Sequence, residues 1–141
     1  MIRKAIHTDC NELAYLMGEL GYSTKRDEME KRMSVIFENP SYHTYVCDRD
    51  GALVGMIGFI HCYRYENNDS YIRINAFVVE SDSRGGGIGK ELLRFAENWA
   101  KENGATMVTL NSGNRIERNN AHAFYERCGF EGIATGFYKE L

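Results

Sequence analysis

The residues best suited to chemistry run Val78-Val79-Glu80-Ser81-Asp82-Ser83-Arg84-Gly85-Gly86-Gly87-Ile88-Gly89-Lys90, where four of the chain's 14 glycines crowd together. At a strand-to-helix junction, glycines let backbone N–H groups approach an anion closely. The helix N-terminus adds unsatisfied donors and a partial positive charge. Phosphate or pyrophosphate is the guest such a loop suits. A loop that binds nothing is the poorer explanation, because free glycine costs conformational entropy.

Phosphate-binding motifs differ in spacing. A P-loop needs Gly five residues before its Gly-Lys pair and Ser or Thr after it; those positions hold Arg84 and Glu91. A dinucleotide fingerprint begun at Gly85 needs Gly where Lys90 stands. The pattern Arg/Gln-x-x-Gly-x-Gly/Ala is met by Arg84, Gly87 and Gly89. Further on, Asn120-Ala121-His122-Ala123-Phe124-Tyr125-Glu126-Arg127-Cys128-Gly129-Phe130 makes a second motif, A-H-x-F-Y-E-x-x-G-F. In this order, separated by a helix and a strand, the two resemble the GNAT family of N-acetyltransferases, and the resemblance covers nearly the whole chain.

The resemblance implies acetyl-CoA as cosubstrate and a role for each matching position. Backbone N–H groups of Arg84, Gly85, Gly86, Gly87, Ile88, Gly89 and Lys90 would cradle the pyrophosphate. Phe77, Val78 and Val79 would line the pantetheine arm, with Val78 and Val79 pairing to it like an added strand at a bulge that splays the sheet. The Val79 N–H would hold the oxyanion, and Tyr125 would donate a proton to the departing thiolate. Asn111, Asn119 and Arg118 would reach the cofactor. Any of Lys90, Arg94, Arg115 and Arg118 suits the 3′-phosphate. No metal ligands are expected.

The chain departs from the family where many members carry a Glu that deprotonates the amine through water. Asn75 stands there, and an amide takes no proton. Neutralising an amine of pKa ~10.4 at pH 7 costs roughly 4.6 kcal/mol. Asn75 is left to orient a water or the substrate, with His61, Glu19 and Tyr71 as substitute bases. A catalytically weak acetyl-CoA-binding module is therefore the rival to an enzyme.

These residues need a scaffold, and the patterning supplies one. Residues 2–6 read as a strand. A capping-box-like Asp9/Glu12 pair opens a helix through Leu13, Leu16, Met17 and Leu20, closed by Gly21. Residues 27–37 read as a helix ended by Asn39-Pro40. Residues 42–47 and 53–65 make a hairpin about Asp48-Arg49-Asp50-Gly51, and 71–79 the next strand. Helix 88–102, strand 106–110, helix 119–127 and a last strand or hairpin over 132–141 follow. The order β-α-α-β-β-β-α-β-α-β is a mixed α/β sheet, expected as one N-acetyltransferase domain over residues 1–141, with a parallel crossover between 71 and 110.

Composition agrees. The chain has 141 residues, 43% hydrophobic, with Phe, Tyr and Trp too numerous for disorder. A net charge of −3 argues against a general nucleic-acid binder. No apolar stretch is long enough for a bilayer, and the scattered Cys10, Cys47, Cys62 and Cys128 without an apolar leader suggest free thiols in a cytoplasmic protein. The acceptor is expected to be a small-molecule amine, aminoglycoside-like or aminoalkylphosphonate-like. Asp27, Glu28 and Glu30 in the acidic first half tilt it toward a cationic amine. A homodimer is expected from the resemblance alone.

Overall fold

The structure, a computed structural model, describes residues 1–112 and 119–141. It separates into two units, Met1–Thr109 and Leu110–Leu141, each described in its own right. The first holds β1 (Ile2–Lys4), α1 (Cys10–Leu20), α2 (Arg26–Glu38), β2 (Tyr42–Arg49), β3 (Ala52–Tyr63), β4 (Ser70–Val79) and α3 (Ile88–Glu102); β5 (Ala105–Leu110) runs to its boundary. The second holds α4 (Asn119–Arg127).

The strands form one sheet in the order β1-β2-β3-β4-β5, with β1 to β4 antiparallel. Thr106 Oγ1 donates to the Ser70 carbonyl and Thr109 Oγ1 to that of Ile72, each at 3.4 Å. These partners advance in the same direction along both strands, the parallel sense that a strand–helix–strand crossover produces.

Period-2 alternation gives the sheet two differently covered faces. On one face, Val46, Met56 and Val78 pack with Leu13, Leu16, Met17, Met29 and Met33 of α1 and α2. Leu13 and Leu16 are fully buried, and truncating either to Ala would cost about 2–5 kcal/mol. The other face meets α3 through an aromatic layer. Trp99 lies 4.3 Å from the His43 ring, 5.1 Å from Phe59 and 5.4 Å from His61. Burial against these rings pushes the His43 pKa down. Gly55 admits α3 at close range: a Cβ there would lie 3.0 Å from Leu92 Cδ1 and 3.3 Å from Ile88 Cγ2.

One extra residue breaks the alternation. Gly58 pairs with Ala76 but Phe59 pairs with Ile74, so Asn75 is a β-bulge. The expected bulge at Val78 and Val79 is instead here, and Val78 and Val79 keep regular register with Met56 and Gly55. Before the bulge, Ile72 and Ile74 face α3 and Tyr71 and Arg73 the opposite way; after it, Val78 faces α1.

Local signals mostly hold. Gly21 closes α1 in the left-handed region at φ 108°, with Tyr22 N–H donating to the Met17 carbonyl, a Schellman closure. Asp50 and Gly51, at φ 55° and 90°, make the hairpin turn whose handedness suits twisted strands. Two expectations fail. Asp9 and Glu12 form no capping box: Asp9 accepts from Arg3 through both oxygens at 2.9 Å, and Glu12 Oε2 accepts from Leu53 N–H. Residues 132–141 form no strand or hairpin. Ladder pairing is what makes an extended segment a strand, and here Ile133, Phe137, Tyr138 and Leu141 are exposed.

Candidate active site

The site is built where β4 ends. Glu80 N–H donates to the Val54 carbonyl at 2.8 Å. Hydrogen-bonded pairs alternate along an antiparallel ladder. Val78, opposite Met56, therefore turns its N–H and C=O toward β3, and Val79, opposite Gly55, turns its own toward the other edge. Arg84 meets it there, its Nε donating to the Val79 carbonyl at 3.0 Å. Of the residues expected along the pantetheine arm, Val79 and half-buried Phe77 present backbone to that edge by this parity, while Val78 is spent on β3.

A short 3-10 turn, Ser81–Ser83, carries the chain into the glycine run. Glu80 holds it: Oε1 accepts from Asp82 N–H at 3.2 Å and Oε2 from Ser83 Oγ at 2.9 Å. Gly85 and Gly87 both sit at φ +87°, where a side chain is strained, and a Cβ at either would meet open space. Gly87 caps α3, and buried Ile88 anchors its first turn. The first N–H groups of a helix have no intrahelical acceptor, so those of Ile88, Gly89 and Lys90 face outward without side-chain competition. Lys90 and Arg94 are exposed on α3. Glycine-freed donors at a helix start, with cations close by, fit a pyrophosphate-bearing group.

In the second unit, Tyr125 is half-buried on α4, its ring 5.7 Å from Phe124 and 5.8 Å from Phe130. Gly129 at φ 93° and the Phe130 N–H to Tyr125 carbonyl bond close that helix. Asn111 Nδ2 donates to the Tyr138 hydroxyl. Arg115, Arg118 and the Asn119 side chain lie outside the described residues.

A model of the GNAT acetyltransferase family matches residues 6–130. The chain belongs to the GNAT acetyltransferase family. It is 33% identical over 127 residues to an aminoalkylphosphonate N-acetyltransferase of Salmonella typhimurium, covering 89% of this chain and 78% of the relative. It is 31% identical over 88 residues to an aminoglycoside N(6′)-acetyltransferase of Stenotrophomonas maltophilia, covering 60% of this chain and 56% of that one. A solved GNAT acetyltransferase of Staphylococcus aureus superposes with a TM-score of 0.87 at 32% identity, over 100% of this chain and 98% of that one.

In this GNAT chain the substitute bases have other commitments. His61 Nε2 shares a hydrogen with Ser70 Oγ at 2.8 Å under Trp99. Glu19 accepts from the Tyr15 hydroxyl at 2.9 Å and from Ser81 Oγ at 3.1 Å, which holds its carboxyl below the usual range and makes it a weaker base. Tyr71 lies under the Arg64 guanidinium, 4.7 Å from ring centroid to carbon. Asn75 is exposed at the bulge. The sequence did not point to Glu80 as the loop's internal brace or to Gly55 as the seat of α3. A carboxylate right after a strand, three residues before a serine, was the only signal for Glu80. Among the described residues no helix is long and apolar enough to cross a membrane, and no group of three or more His, Cys, Asp or Glu could hold a metal.

Proposed function

We propose that this acetyltransferase moves the acetyl group of acetyl-CoA to the primary amine of a small molecule by direct attack, with residues 1–141 acting as one domain. The observation that carries this is the outward-turned Val79 N–H at the end of the strand that leads, through the Ser81–Ser83 turn, into the Gly85–Gly87 loop and the start of α3. Backbone donors from Arg84 to Lys90 hold the pyrophosphate, with Lys90, Arg94, Arg115 or Arg118 on the 3′-phosphate. Phe77 and Val79 present backbone to the amide-bearing arm, and the Val79 N–H stabilises charge on the carbonyl oxygen. Asn75 orients a water or the amine. The second motif supports Tyr125 as proton donor to the leaving sulfur, and Asn111, Arg118 and Asn119 as cofactor contacts. Relatives acting on an aminoalkylphosphonate and an aminoglycoside support a small-molecule amine as acceptor.

Free thiols at Cys10, Cys47, Cys62 and Cys128 suit a cytoplasmic setting, and a homodimer goes with the family reading. The second reading, an acetyl-CoA-binding module with weak catalysis, is favoured by Asn75 alone.

Thermal unfolding with acetyl-CoA, CoA, ATP and NAD in parallel tests the cofactor. Ligand at 100 times its Kd stabilises by about 2.7 kcal/mol, a rise of roughly 4–10 °C for a domain of this size. A rise with acetyl-CoA and CoA is expected; one with ATP or NAD alone would overturn the reading. Thiol release across an amine panel then separates enzyme from binding module.

A further inference from the structure

The face of the sheet covered by α1 and α2 at Met56 and Val78 emerges from under them further along. Ile60 and Cys62 continue the Met56 side of β3, and their cross-strand partners are Arg73 and Tyr71. These residues are half-buried, except Arg73, which is exposed. Arg64, two residues past Cys62, lies over the Tyr71 ring at 4.7 Å and donates through Nη2 to Met107 Sδ at 3.4 Å. Its carboxylate neighbour, Glu66, stands at 4.0 Å and is largely exposed. The Asn75 bulge is what brings Tyr71 and Arg73 to this side, and Asn75 lies two residues beyond Arg73, about 7 Å at strand rise. Arg64 thus stacks on the Tyr71 ring, and Arg73 stands two residues on along the same face of the strand that carries the proposed reaction edge. A stacked guanidinium is oriented in advance, and its fork matches a carboxylate or tetrahedral oxyanion.

We infer that this face receives an anionic group of the acceptor, with Arg73 and Arg64 beside Tyr71 as its binding residues, so that the preferred amine carries a phosphonate, phosphate or carboxylate. The inference rests on the acetyltransferase reading and reverses the tilt toward a cationic amine. The acidic residues behind that tilt are committed on α2: Asp27 and Glu28 sit in its first turn, where they complement the helix dipole, and Glu30 pairs with Arg26 at 3.1 Å.

The test compares kcat/KM for 2-aminoethylphosphonate, β-alanine, propylamine and 1,3-diaminopropane with saturating acetyl-CoA, in the wild type, Arg73→Gln and Arg64→Gln. A charge-assisted contact is worth on the order of 10- to 100-fold. The wild type should favour both anionic amines over propylamine by at least about 10-fold, and each substitution should collapse that ratio while the acetyl-CoA thermal shift is kept. A second readout needs no turnover: the phosphonate should slow alkylation of Cys62, which faces Tyr71 across the ladder, and propylamine should not. Preference for propylamine or the diamine, a ratio indifferent to both substitutions, or unaltered Cys62 alkylation would overturn the inference. If no amine releases thiol, the acetyltransferase reading falls by itself, and Cys62 protection still decides whether the anion binds here.

Discussion

The Nε of Arg84 donates to the carbonyl oxygen of Val79 at 3.0 Å, tying the start of the glycine run back to the last residue of β4. One side chain therefore fixes the loop relative to the outward-turned Val79 backbone. Arg84→Ala should change unliganded stability by less than about 1 kcal/mol, since the bond is exposed. It should weaken acetyl-CoA by about 10-fold, removing roughly 1.4 kcal/mol of ligand stabilisation. A full acetyl-CoA shift in the variant would show that the tie is dispensable.

The glycines of the loop are not equivalent. Gly87 sits at φ +87° and Gly86 does not; a Cβ on Gly86 would make only ordinary contact, 3.7 Å from the Ser83 carbonyl oxygen. Gly87→Ala should cost about 1–2 kcal/mol, and Gly86→Ala less than about 0.5 kcal/mol. Urea midpoints of the two variants check the difference; equal costs would contradict the assigned backbone.

Asp9 gives a pH prediction. Its hydrogen bonds from the Arg3 guanidinium, foremost, and from the Ile6 N–H hold its carboxyl below the usual range. As pH falls the unfolded chain takes up this proton first, near pH 4. The stabilisation is therefore complete above that pH and fades as pH drops through the lower folded value. Asp9→Asn should cost about 2–3 kcal/mol at pH 7, and the gap to the wild type should narrow below pH 4. Denaturant titrations between pH 7 and pH 3 would reveal a constant gap if the charge were irrelevant.

Tyr125→Phe should lower the acetylation rate by about 10-fold, a small effect for general acid catalysis because a thiol near pKa 8.5 leaves with little help. Its thermal shift with acetyl-CoA should be unchanged. Equal loss of rate and binding would move Tyr125 from proton donor to cofactor contact.

What the sequence disclosed was set by neighbours along the chain. Glycines at 85 and 87 answer a local demand for positive φ, Gly21 a helix end, and Asn39-Pro40 a helix stop, so the loop and the helices were readable in advance. What it concealed depends on partners far away. Asp9 looked like a cap for Glu12 until the β1–β2 pairing set Arg3 between Asp9 and Asp48. The place of the bulge is decided by which β3 residues meet Ile74 and Ala76, and nothing in β4 itself marks Asn75 as surplus. Residues 132–141 read as a strand or hairpin on their own, yet a strand exists only with a ladder partner.

The Asn75 bulge makes β4 a strand with two reading frames. Ser70 to Ile74 is written in one and Ala76 to Val79 in the other, and a single residue joins them. Deleting Asn75 would leave composition and length almost untouched. It would also force a choice: keep Val78 under α1 and drive Arg73 and Tyr71 into the layer beneath Trp99, or keep Ile72 and Ile74 there and turn Val78 away from α1. Substitutions at position 75 change one side chain, whereas its removal rewrites the inside and outside of half a strand. The position is thus far more tolerant of exchange than of loss.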